Sequence, residues 1–191
     1  YPGLGPTGPL PKSIDFPLTT RKENNAFSAI FFGDTQPRDL REVDYIARDI
    51  VEPLIGKAQN YDFGVTLGDV VFDDLSVTAP LKQIIGLIGI PWYYVLGNHD
   101  INYDVPDDHG SDEHWHAYFG PNYYSFDHGP VHFVVLDNVE WIGAENAKKE
   151  APPQPRGYYR AGLGPTQLDW FQRDLENVPA NKLVVLMMHI P

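Results

Sequence analysis

Four groups of polar side chains in this 191-residue chain could bind a cation or a phosphate. They are Asp34 with Gln36, Asp69 with Asp73 and Asp74, Asn98 with His99 and Asp100, and His189 by itself. Carboxylate and amide oxygens with some imidazole suit Mn²⁺, Fe or Zn²⁺ better than a soft metal. Two such ions ~3.5–4 Å apart need a shared carboxylate, and together they clamp a phosphoryl group while generating hydroxide. Asp69, midway between the other groups in sequence order, is the natural bridge. The chain has no cysteine, which excludes thiolate zinc sites, disulfides and a cysteine nucleophile.

The elements that must position these residues are readable in outline. Phe27–Phe32, Phe63–Leu67 and Trp92–Leu96 are apolar runs of strand length, and each ends at a glycine followed by a polar residue: Gly33-Asp34, Gly68-Asp69 and Gly97-Asn98. Val184–Met188 reads as a fourth strand, running into His189. Leu40, Val43, Ile46, Ile50 and Leu54 recur at helical spacing, and residues 79–89 form a second helical pattern that Gly86 and Gly89 interrupt. Strands alternating with helices predict parallel β-α-β units, whose ligands gather at the carboxyl ends of the strands. One Gly-Asp after a strand is usually an ordinary turn. Three in register, with a terminal histidine, point to a metal or phosphate site.

After residue 100 the texture changes. Residues 107–113 read as a polar loop, and Tyr123–Phe126 and His132–Leu136 as a hairpin turning at residues 127–130. Pro165 suits the first turn of a helix running through Leu168, Phe171 and Leu175. The predicted class is α/β with a mixed sheet or a pair of sheets. A formal charge of −12 argues against a sequence-independent grip on nucleic acid. The longest apolar run, Ile84–Leu96, is too short for a membrane span and is broken by Pro91. Residues 1–22, rich in proline and glycine, read as a leader or linker, and 23–191 as the working domain. A start at Tyr1 and an end three residues beyond a core strand predict a piece of a longer chain with further domains on either side.

Gly33-Asp34-x-Gln36, Gly68-Asp69-x4-Asp74, Gly97-Asn98-His99-Asp100 and the strand-terminal His189 together resemble the calcineurin-like metallophosphoesterases. Tyr123–Phe126, His132–Asp137 and Gln167–Trp170 are similar to secondary features of that family, and the resemblance spans about residues 27–191. It implies a four-layer β-sandwich of mixed sheets flanked by helices, lacking its C-terminal part. It implies a metal-dependent phosphoesterase acting on a phosphate monoester, diester or pyrophosphate. Asp34 and Gln36 would bind a first divalent ion, Asp69 would bridge, and Asn98 and His189 would bind a second. A hydroxide activated by the two metals would attack phosphorus in line. His99 would stabilise the phosphoryl oxygens or protonate the leaving oxygen, while Asp100 orients its ring. The family usually has His where Gln36 stands, and that amide moves the expectation toward Mn²⁺ or Mg²⁺. Its Gly-His-x-His motif lies beyond Pro191, so the rival is a metal-binding or scaffold domain without hydrolysis. A carboxylate-pair glycoside hydrolase leaves Asn98 and His189 unexplained.

Other polar residues carry plainer expectations. Asp73 and Asp74 read as solvent-facing or turn-capping, His128 as exposed in its turn, and His132 and Asp137 as structural. His114 and His116 do not share a helical face and so make no zinc pair. Tyr158, Tyr159 and Arg160, or Arg156, could rim the substrate, and residues 101–119 could move to define it. The substrate expected is small and phosphorylated. Export, to a periplasm or outside the cell, is slightly favoured over retention.

Overall fold

A computed structural model describes residues 12–13, 24–149, 152 and 157–191. The leader (Lys12 and Ser13 apart), Arg156 and most of the loop at 151–155 lie outside the described residues. Strands β1 (Ala29–Phe32), β2 (Phe63–Leu67) and β3 (Trp92–Val95) pair in that order, all parallel. Phe32 stands opposite Thr66 and Leu67 opposite Val95, so the three carboxyl ends lie along one edge.

Helix α1 (Leu40–Ile46) starts at Asp39, whose carboxylate accepts the Glu42 amide at 2.9 Å. It continues through a wide turn at Ala47–Val51 and a tight one at Glu52–Leu54, so the apolar spacing seen in the sequence follows one helical path. Helix α2 (Thr78–Gly86) follows β2. Val43, Ile46, Val51, Leu81 and Ile85 from these segments pack with Tyr94 and Leu96 to cover one face of the first sheet.

The second sheet holds β4 (Tyr124–His128), β5 (Val131–Val135) and β8 (Leu183–Met187), with β5 antiparallel to β4 and parallel to β8. Alternation along β5 sends Val131, Phe133 and Val135 to one side, where they meet Phe63, Val65 and Val95 of the first sheet. Burying each such side chain stabilises by roughly 1.5–3 kcal/mol. The intervening His132 faces the other way, onto helix α5 (Pro165–Glu176). The layers therefore run helices, sheet, sheet, helix. That is the expected sandwich.

Three local expectations need correction. The strands of the β4–β5 hairpin extend through His128 and from Val131, leaving only Gly129-Pro130 to turn. His128 is consequently not exposed: its ring packs 4.7 Å from that of Phe27 and 5.2 Å from that of Phe63. Part of the anticipated loop is helix α3 (Glu113–Phe119), anchored by the buried Trp115. The segment before α3 is held to its surroundings at two points. The Tyr103 hydroxyl donates to the Asn98 carbonyl, and the Trp141 indole N–H donates to the Val105 carbonyl at 2.9 Å. Trp141 belongs to a separate ribbon, β6 (Val139–Ile142) antiparallel to β7 (Tyr158–Ala161), with the short helix α4 (Ala144–Ala147) between them.

His132 is structural, as expected, but it is also charged-partnered. Its ring nitrogens lie 2.8 Å from Asp127 Oδ1 and 2.8 Å from Asp174 Oδ2. Burial opposes its protonation, but the two carboxylates outweigh burial and raise its pKa above 6.5. A raised folded-state pKa means that this stabilisation is full below 6.5 and is lost as pH climbs through the folded value. Tm of the wild type is expected to fall more steeply over that interval than Tm of His132→Gln. Parallel melting curves as a function of pH would show the expectation to be wrong.

Candidate metal centre

The carboxyl ends of β1, β2, β3 and β8 deliver their polar residues to one rim. Ligand atoms of Asp34, Asp69 and His189 lie within 4.8 Å of one another. The His189 Nδ1–H donates to the Leu67 carbonyl at 3.0 Å, which leaves Nε2 facing Asp69 Oδ1 at 3.1 Å and Asn98 Oδ1 at 3.2 Å. An imidazole fixed by its far nitrogen is the usual arrangement of a metal-binding histidine. Asn138 holds the backbone next to it, accepting the Ile190 N–H at 3.1 Å and donating to the Ile190 carbonyl. Sequence reasoning gave no warning of Asn138.

Asp69 is the centre of the cluster. Oδ1 accepts the His99 amide at 3.0 Å and faces His189, while Oδ2 accepts from the Gln36 side chain. Burial opposes ionisation of Asp69, but the bonds from His189, His99 and Gln36 outweigh it and hold its carboxyl below the usual range. The bond to Asp69 in turn raises His189 to about 9. These are the marks of a pocket that favours positive charge. Gln36 meets Asp69 through its amide nitrogen, so in this pose it orients the carboxylate and does not present its oxygen.

Backbone conformation singles out the same residues. Asp34, Gln36, Asp69 and Asp73 have φ of 40°, 40°, 47° and 59°, and they are the non-glycine residues of positive φ among those described. Each such residue costs of order 1–3 kcal/mol, and such strain collects at functional sites. Two glycines make the rim possible. A Cβ on Gly97 would stand 2.0 Å from the Asp69 amide nitrogen, and one on Gly68 2.3 Å from His189 Nδ1. Gly33 has nothing within 4 Å of such an atom, so close approach does not explain it.

The calcineurin-like phosphoesterase family model matches residues 27–191. The chain belongs to that family. Among solved structures, a purple acid phosphatase isolated from yellow lupin (Lupinus luteus) seeds is similar at a TM-score of 0.48 and 16% identity. The similarity covers 85% of this chain and 30% of that one, so the chain spans under a third of its length. No curated protein is significantly similar.

In this calcineurin-like chain the carboxylate that orients His99 is Asp73, not Asp100. His99 Nδ1 lies 2.6 Å from Asp73 Oδ1, and the ring stacks on Phe72 at 4.2 Å with Arg38 on the same phenyl ring at 5.0 Å. Asp100 turns inward, accepting the backbone amides of Val71 at 2.9 Å and Gly97 at 2.8 Å. Complete burial pushes it up to about 7, and its work is to hold two rim loops together. Asp73 makes this contact from a backbone of positive φ, which no spacing rule reveals.

The remaining candidates resolve simply. Asp74 caps a turn, accepting the Ser76 amide at 3.0 Å. Asp137 accepts the Val139 amide at 3.0 Å and is pushed up to about 7 by burial. His114 meets Thr78, while His116 pairs with Asp112, so they make no joint site. Arg160 is held by both oxygens of Glu140, at 2.8 and 2.9 Å. Tyr158 and Tyr159 line a cleft that reaches Asp73. Among the described residues no helix is long and apolar enough to cross a membrane.

Proposed function

We propose that this chain is the metal-binding part of a phosphoesterase that hydrolyses a phosphate monoester, diester or pyrophosphate with two divalent cations. The convergence of Asp34, Asp69 and His189 on one small volume carries the reading. The fit to a cation is chemical: two carboxylates, the amide oxygen of Asn98 and an imidazole whose Nδ1 is already committed. Asp34, Asn98 and His189 would hold the cations, and Asp69 would be shared because its two oxygens face different partners. Gln36 would keep Asp69 in place or turn its own oxygen to the cation. The oxygen-rich set favours Mn²⁺, with Fe, Zn²⁺ and Mg²⁺ as alternatives. Bound cations supply charge for the phosphoryl oxygens and a water acidified toward neutral pH.

His99 does its part beside that volume. Its Nε2 lies 4.0 Å from Asp69 Oδ2, and Asp73 fixes the other nitrogen. It would touch the phosphate ester and give a proton to the leaving oxygen. The second reading is a domain that binds metal without hydrolysis. It is favoured by one observation: the described histidines and carboxylates form a single three-residue cluster. Elemental analysis and a panel of phosphate esters separate the two. Bound Mn²⁺ with turnover is expected. Bound metal without turnover selects the second reading, and failure to bind any divalent ion ends both.

A further inference from the structure

A cleft of about 760 Å³ opens beside His99, and Asp73 belongs to both. Its size is that of a small-molecule site. The β6–β7 ribbon builds one wall by simple register. Trp141 stands directly opposite Tyr159, so both side chains lie on one face, while the Glu140–Arg160 pair occupies the other. Tyr103 closes the inner end, its ring 5.0 Å from that of Trp141 and its hydroxyl tied to the Asn98 carbonyl. Tyr158 and the pinned backbone at Val105-Pro106 complete the walls. The charges on the described lining are Asp73, Asp104 and Glu145, with no lysine or arginine among them.

From this we infer that the cleft takes the leaving alcohol of the phosphate ester, and that this alcohol carries an organic cation such as a quaternary ammonium group. The assignment rests on the phosphoesterase reading. Asp73 both lines the cleft and holds the His99 ring, so the cleft is the lined space next to the residue that would protonate the leaving oxygen. Aromatic faces carry negative potential and attract a cation that water holds weakly. The acids add to that field, whereas a second phosphate or a carboxylate on the alcohol would meet repulsion on several sides. A neutral alkyl group would gain the burial without the charge term.

The test compares three esters of similar shape: phosphocholine, its uncharged isostere 3,3-dimethylbutyl phosphate, and 4-carboxybutyl phosphate. With Mn²⁺ present, kcat/KM is expected to be about tenfold higher for phosphocholine than for the isostere, and lowest for the carboxylate. Tyr159 is 43% exposed, so Tyr159→Ala should fold, and it should collapse the first ratio toward one. Binding of free choline and of 3,3-dimethylbutanol, followed by ligand-observed NMR, gives a readout that needs no turnover. Choline that binds at least several-fold tighter, with no ester cleaved, upholds the cleft and overturns the phosphoesterase reading. Esters cleaved without preference for the cation uphold that reading and overturn the inference.

Discussion

With Asp69 replaced by alanine, turnover of a generic aryl phosphate in Mn²⁺ falls at least about a thousandfold. That factor corresponds to the several kcal/mol of charge stabilisation that a metal centre gives a phosphoryl group. The reason is the position of Asp69. One of its oxygens faces His189 and the His99 amide, and the other faces Gln36. The cluster's other carboxylate, Asp34, lies 3.8 Å from the Nδ1 of His189. Metal content, measured alongside, falls with the activity. Asp69→Asn keeps an acceptor for the His99 amide while removing the charge, and it should keep more thermal stability than the alanine variant while recovering little turnover. Undiminished activity in Asp69→Ala would remove the bridging role and the two-cation proposal with it.

The rim was legible because chain chemistry and topology agree there. An apolar run followed by glycine and a polar residue marks where a buried strand ends, and parallel pairing must then bring such ends together. Asp34, Asp69, Asn98 and His189 followed from that reasoning, and they are the residues found side by side. What remained hidden depended on conformation or on distant pairing. Asp73 meets His99 from a backbone of positive φ, and in sequence it looks like one more surface acid. Asp100 sits next to His99 in the chain, yet a tight turn points it inward to backbone amides. The β6–β7 ribbon escaped notice because each strand has four residues and its partners lie about twenty positions apart across a proline-rich stretch. Tyr158 and Tyr159 therefore read as loop aromatics, although the ribbon makes them a wall.

The second large effect concerns His99, and it separates two ways in which that residue could act. His99→Ala is expected to lower kcat by about 10²–10⁴, the range of general acid catalysis, with metal content nearly unchanged. The ring lies outside the Asp34–Asp69–His189 cluster, so removing it takes away no ligand of that cluster. Loss of metal together with activity would instead place His99 among the ligands. The dependence on leaving group then decides the role. If His99 protonates the leaving oxygen, the loss is large for alkyl phosphates, whose alkoxides leave poorly, and small for nitrophenyl phosphate, whose leaving group needs no proton. If it only stabilises the phosphoryl oxygens, both esters suffer alike. Asp73→Asn provides the independent check, because Asp73 touches the far nitrogen of the ring at 2.6 Å and belongs to no ligand group. It should reproduce the leaving-group pattern of His99→Ala at smaller amplitude, about tenfold, since the imidazole remains but loses the carboxylate that orients it. A uniform loss across leaving groups in Asp73→Asn would mark it as a structural residue and return the orientation of His99 to the Phe72 stack alone.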